Sequence, residues 1–307
     1  MADKFSQSIA GTTILKGVSR SFYLSLRLLP TSMRDAAGLA YLLARSSDTI
    51  ADTPHWDINA RLQCLEQFHR AIQGTIVFST PNDLLEQCND GEKILMTHVQ
   101  EHLGWLEKLT DAERWLVHEV LDEIISGQRL DLLRFANAHD GCRMELANDA
   151  ELIDYCQRVA GSVGEFWTKL GFLGEGERFS DEGMETMVRW GRHFGCALQL
   201  VNILRDRPED MVHGRFYLPG TRDLCDEDAY LHAQDRWLAR AKVWVHEGMA
   251  YARALHGRRL RCATALPALL ALETIEAIEQ ATWPQMQQRI KVSRATVFRC
   301  LAEAMLW

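Results

Sequence analysis

The sequence predicts an all-α fold, and three observations lead there. Apolar residues recur at helical spacing over long stretches, only 7 prolines and 20 glycines punctuate 307 residues, and β-branched alternation is scarce. The first helix is "MRDAAGLAYLLARSS" (33–47), whose composition suits packing against a core. In "AERWLVHEVLDEIISGQRLDLLRFA" (112–136), Leu116, Val120, Ile124 and Leu130 line one stripe with acids opposite. Three further helices follow: "MVRWGRHFGCALQLVNILRD" (187–206), "DRWLARAKVWVHEGMAYARAL" (235–255) and "LPALLALETIEAIEQA" (266–281). Breaks fall at "DTPHWD", "STPND", "ANAHDG", "GFLGEGERFSDEG" and "GRFYLPGTRD". No Ser/Gly-rich linker and no fixed-period repeat divides the chain, which predicts one domain over 1–307 with about ten helices.

Composition narrows the function. At 47% hydrophobic residues the chain can bury a large core, and a net charge of −8 argues against a general nucleic-acid binder. The eight cysteines form no C-x-x-C pair, and the eleven histidines show no zinc spacing. "VHGRF" (212–216) reads as a turn. The N-terminus has no apolar signal core, and no apolar run reaches the 18 residues of a membrane span. Together these predict a reducing, cytoplasmic setting.

Two short stretches carry the chemistry. "ARSSDTIADT" (44–53) sets Asp48 and Asp52 four apart, just after Arg45. Carboxylates at that spacing share a helix face and repel. "LVNILRDRPEDMVHGRFYLP" (200–219) repeats the spacing in Asp206 and Asp210, adds Glu209, and surrounds them with Arg205, Arg207 and Arg215. Gln199 and Asn202 lie one or two turns before. One such pair is an ordinary solvated helix face; two pairs, each ending an apolar helix beside arginine, suggest magnesium. Mg2+ takes oxygen ligands from a few carboxylates and a substrate's phosphates, while arginine forks bind the remaining phosphate oxygens. Two facing helices of this kind would clamp a diphosphate. Apolar helices around the clamp suit a hydrocarbon tail, so the substrate expected is a prenyl diphosphate. Pro208, inside the second cluster, is expected to kink or end its helix.

These stretches resemble the squalene and phytoene synthase family. The resemblance runs over nearly the whole chain, through "SRSFYLSLRLLP" (19–30), "AYLLARSSDTIAD" (40–52), "YCQRVAGSVGEF" (155–166) and "LVNILRDRPEDMVHGRFYLP" (200–219). It implies an isoprenoid-synthase-type helical bundle around a central active-site cavity. It further implies Asp48, Asp52, Asp206 and Asp210 as Mg2+ ligands. Arg20, Arg45, Arg205 and Arg215 match positions that contact diphosphate, and Gln199 and Asn202 match polar positions near the second diphosphate. Tyr41 and Tyr155 match tyrosines that face the reacting carbons, Tyr155 beside the site of proton loss. Without the resemblance, Tyr155 reads as a core tyrosine and the Ala160-Gly161-Ser162 run as close helix packing. Ala51 departs from the squalene branch, which commonly has Glu there.

The resemblance implies a prenyltransferase that joins two farnesyl diphosphates head to head. "SSDTIAD" and "RCATALPALLALETIEAI" (261–278) look closer to the squalene branch, which reduces its product with NADPH; Lys291 and Arg294 then lie where that branch carries a basic cofactor loop. "RPEDMVHGRFYLP" reads more like the phytoene branch. The expected product is squalene; the alternatives are a non-reducing dehydrosqualene, hydroxysqualene or phytoene synthase, or a non-catalytic relative. Retention of the four aspartates and Tyr155 argues against the last. A lipid product, and the mixed basic and apolar "KVSRATVFRCLAEAMLW" (291–307), suggest transient contact with a membrane surface.

Overall fold

A computed structural model describes residues 14, 26–139, 141–223 and 226–307. Among these residues there are thirteen α-helices, one π-helical turn and a single pair of two-residue strands. The fold is all-α. Five of the helices have eight residues or fewer, too short for a clear apolar period, which is why the sequence suggests fewer. The chain groups into two compact units, one of residues 1–132 and 166–179, the other of 133–165 and 180–307.

The first unit is built on α1 (Thr31–Ala51). Leu39, Leu42, Leu43 and Ile50 are fully buried along it. It packs against α2 (Ile58–Ile72), α4 (Asp90–Thr97) and α5 (Val99–Leu106). The short α3 (Asn82–Gln87) precedes α4, and α6 (Asp111–Arg134) follows α5. Polar caps set the starts: Asp57 accepts from the Ala60 N–H, and Asn89 with Glu92 forms a reciprocal capping box. Phe68 and Phe78 meet edge to face at 5.2 Å.

His102 on α5 is 1% exposed, and burial, with His98 adding to it, holds its imidazole down at about 4. An unfolded histidine titrates near 6.5. A depressed folded value means that the unfolded chain takes up the proton first. Stability from this group is therefore complete above pH 6.5 and lost as the pH falls toward 4, by on the order of 2–3 kcal/mol. Urea titrations at pH 7.5 and pH 4.5 on wild type and His102→Leu check this. The variant should lose less stability on acidification; an identical loss would contradict it.

The second unit contains α7 (Asp149–Cys156), a π-turn (Gln157–Gly161) and the start of α8 (Ser162–Glu175). It also holds α9 (Met184–Val212), α10 (Glu227–Ala254), α11 (Arg258–Glu279), α12 (Trp283–Met286) and α13 (Arg294–Ala304). α9 lies along α10, α10 along α11, and the π-turn against α9. Trp237, Val245, Ala252, Leu260 and Ile275 form the interior. Pro208 does not end α9, which runs on to Val212; the sequence expectation of an ending is corrected here. The proline removes one ladder donor, and the turns on either side keep theirs.

Strand β1 (Met144–Glu145) pairs in parallel with β2 (Arg215–Phe216), Met144 opposite Arg215. Gly214 makes the turn between α9 and β2 at φ +72°, and a Cβ there would lie 2.5 Å from the His139 carbonyl oxygen. "VHGRF" is a turn, as its sequence suggests. The Glu145 carboxylate accepts from the Gly220 and Arg222 N–H groups and so holds the loop after β2.

Candidate active site

Along α1, Tyr41, Arg45, Asp48 and Asp52 fall at helical spacing on one stripe, Asp52 being the residue that closes the helix. Its N–H still bonds the Asp48 carbonyl at 2.8 Å, so the last turn stays formed. Arg45 reaches Glu92 on α4 at 2.8 Å and Asp48 at 3.6 Å. On α6, Gln128, 8% exposed, donates to the Asp48 carboxylate at 2.6 Å. Ala51 is buried at 8%, on the core side of the helix.

Desolvation, then repulsion from Asp52, raises the Asp48 carboxyl to about 6, against the pull of Arg45 and Gln128. Its side chain keeps 43% of its exposure, so water reaches it and moderates the desolvation. A carboxylate held reluctantly ionised beside a second one is suited to a hard divalent cation, which would relieve both effects.

On α9, Gln199, Asn202, Asp206 and Asp210 repeat the stripe, all partly exposed. Each acid of this cluster has a guanidinium beside it. Asp206 is forked by Arg205, at 2.7 and 2.5 Å, and is met by Arg289 at 2.8 Å. Arg289 also reaches Glu209 at 3.3 Å, and Arg215 lies 3.4 Å from Asp210. The second stripe is thus a network of alternating charge, with three arginines set among three acids.

Tyr155 lies in the last turn of α7, one residue before Cys156 closes it and the π-turn begins, a local feature that recurs at functional sites. Its ring stacks on Tyr217 at 5.2 Å, and Tyr217 packs on Phe135 at 5.0 Å. The π-turn is held by glycines. A Cβ on Gly195 would lie 2.1 Å from the Ala160 carbonyl oxygen, and one on Gly164 only 1.9 Å from that of Gly191. The "AGSVG" run is close helix packing.

The remaining sequence candidates stand apart. Lys291 and Arg294 are exposed, on and after the loop that carries Arg289. Arg20 lies outside the described residues, as does most of the "SRSFYLSLRLLP" motif. Sequence reasoning missed Gln128, Glu92, Tyr217 and Arg289. Gln128 left a faint signal as a polar residue among the apolar positions of α6. Arg289 lay in a basic loop read only for a cofactor.

Among the described residues no three His, Cys, Asp or Glu side chains gather into a metal cluster. Each stripe offers a pair of carboxylates. That donor set fits Mg2+, which is held by one or two carboxylates together with water and phosphate oxygens.

A family model described as squalene/phytoene synthase matches residues 15–296. The chain belongs to the squalene/phytoene synthase family. It is 25% identical over 280 residues to the squalene synthase of Schizosaccharomyces pombe, covering 86% of this chain and 58% of that protein. It is 28% identical over 274 residues to the phytoene synthase of Mycobacterium tuberculosis, covering 83% of this chain and 76% of that protein. It is 30% identical over 199 residues to the presqualene diphosphate synthase of Sinorhizobium fredii, covering 65% and 58%. The chain thus spans under two thirds of the length of the first and third of these relatives. Among solved structures, TcSQS with a bound ligand superposes with a TM-score of 0.78 at 23% identity, over 96% of this chain and 85% of that one. A dehydrosqualene synthase with a bound ligand superposes with a TM-score of 0.63 at 20% identity, over 98% and 95%. At such identities these structures show that the fold is shared.

Proposed function

We propose that the protein is a magnesium-dependent prenyltransferase that condenses two farnesyl diphosphates head to head, and that it then reduces the product to squalene with NADPH. The observation that carries this reading is the pair of stripes, Tyr41-Arg45-Asp48-Asp52 on α1 and Gln199-Asn202-Asp206-Asp210 on α9. Each sets two carboxylates beside arginine on a half-exposed helix face, within a chain of this family. Residues 1–307 would act as one catalytic domain.

In this reading Asp48, Asp52, Asp206 and Asp210 hold Mg2+, which supplies Lewis-acid charge to the departing diphosphate. Arg20, Arg45, Arg205 and Arg215 take phosphate oxygens; the last two release their present carboxylate partners to do so. Gln199 and Asn202 donate to the second diphosphate. One substrate loses diphosphate, its allylic cation attacks the double bond of the other, and loss of a proton closes a cyclopropane that still carries the second diphosphate. Tyr41 and Tyr155 border the reacting carbons. Tyr155 orients the proton's departure, and released diphosphate accepts the proton, since a phenol that titrates near 10 is already protonated at neutral pH.

The later step needs a hydride, which NADPH supplies when bound. Lys291, in the loop before α13, and Arg294, its first residue, are exposed cations, a chemistry that fits a cofactor phosphate. No helix among the described residues is long and apolar enough to cross a membrane. The exposed Phe298, Met305 and Leu306 support transient contact of the C-terminal segment with lipid during product release.

Mass spectrometry of products from farnesyl diphosphate and Mg2+, with and without NADPH, tests the reading. Squalene formed only with NADPH is expected. Dehydrosqualene or hydroxysqualene in both reactions would overturn the reductive step. Similarity to the mycobacterial phytoene synthase favours one second reading, a C40 synthase, which phytoene from the C20 diphosphate would reveal.

A further inference from the structure

We propose that Gln128 is a positioning residue for metal binding: from α6 it holds one oxygen of the Asp48 carboxylate and leaves the other for a divalent cation. The inference deepens the proposed function, since it rests on Asp48 as a Mg2+ ligand.

An amide is costly at this position. Leu121, Ile124, Ile125 and Gln128 fall on one buried stripe of α6, where an apolar side chain would pack with no polar group to satisfy. A buried amide must instead find partners for both of its ends. Gln128 finds a partner for one. Its Nε2 donates to Asp48 Oδ1 at 2.6 Å, while its Oε1 is buried with no hydrogen-bond donor among the described residues. Turning the amide over would set its carbonyl oxygen against the carboxylate, so charge fixes the orientation. The stripe thus gives up apolar packing for one bond, and that bond goes to the first acidic pair.

The same bond decides how Asp48 is offered. Arg45 Nη1 stands 3.6 Å from the other oxygen, Oδ2, too far for a strong hydrogen bond, and Arg45 Nη2 is engaged by Glu92 at 2.8 Å. With Oδ1 held, the carboxylate cannot turn to close a fork with Arg45. Oδ2 remains for a metal, and less rotational freedom is lost when one binds. Removing hydrogen-bond partners of this kind around ligating groups typically weakens metal binding by about 10–100-fold.

Mn2+ takes the same oxygen ligands as Mg2+ and reports binding without turnover. Titrated into the full chain with no prenyl substrate and followed by electron paramagnetic resonance, it should show in wild type a class of sites that Asp48→Asn removes. Gln128→Met, apolar and close in volume, should bind at that class at least about tenfold more weakly and melt no lower than wild type. A packing role predicts the reverse, lower melting with unchanged affinity. In the Asp48→Asn background Gln128→Met should change Mn2+ binding no further, because it acts through Asp48; an added loss there would overturn the inference. Equal affinity in wild type and Gln128→Met would also overturn it, and would leave Asp48 standing as a ligand. Absence from wild type of any sites that Asp48→Asn removes would instead refute Asp48 as a ligand, and this role with it. Gln128→Leu is the second variant. Failure of both variants to fold would assign Gln128 to the fold and overturn the proposal.

Discussion

Asp206→Asn should reduce turnover of farnesyl diphosphate by about 10³-fold or more while leaving helical content unchanged. The substitution keeps the size of the side chain and removes the charge that a Mg2+ ligand needs. It also strips the counter-charge from Arg205 and Arg289, which share Asp206 at 2.5–2.8 Å. Those pairs are partly exposed, Arg289 at 38%, so the fold loses at most about 1 kcal/mol. The large effect on rate and the small effect on stability separate a catalytic carboxylate from a structural one. Asp48→Asn should lose activity to a similar degree, with Gln128 still able to bond the new amide's oxygen. Rate measurements alongside circular dichroism check both, and near-normal turnover in either would remove that stripe from the mechanism.

Gly164→Ala should destabilise the protein by about 3 kcal/mol, lowering the melting temperature by roughly 5–10 °C. A Cβ at this position would stand 1.9 Å from the Gly191 carbonyl oxygen and 2.4 Å from its carbon. These are backbone atoms of α9, so no side chain can swing aside and the helix itself must shift. The same contact, with Gly195 against Ala160, holds the π-turn against the segment of α9 that leads into Gln199 and Asn202. Activity should therefore fall with stability. Gly183→Ala, where a Cβ would meet nothing within 4 Å, is the matched control and should melt as wild type does. Equal melting of Gly164→Ala and wild type would contradict the close packing.

Much of this architecture is legible in the chain because helices bury periodic stripes. The apolar positions of 112–136 and 235–255 mark α6 and α10, and the Pro- and Gly-containing breaks fall near the turns that separate helices. Both acidic stripes are legible as well, since positions four apart on a helix must share a face. What the sequence does not disclose depends on distant partners. Gln128 meets Asp48 from 80 residues away, and Arg289 meets Asp206 from 83, with no local pattern to announce either. The aromatic cage around Arg207 joins α9, α10 and α12, so that residue reads from sequence as one more surface charge. The π-turn escapes for a different reason: i to i+5 bonding is imposed by packing against α9, where glycines let two backbones touch, and residue propensity does not specify it.

The most direct test of head-to-head condensation withholds NADPH. Purified protein given farnesyl diphosphate and Mg2+ would be sampled by liquid chromatography and mass spectrometry at early times, with released pyrophosphate counted in parallel. The mechanism above predicts presqualene diphosphate, with one pyrophosphate released for every two farnesyl diphosphates consumed, and loss of both signals in EDTA. Pyrophosphate released with only farnesol or a cyclic C15 product, or no consumption of farnesyl diphosphate, would contradict it.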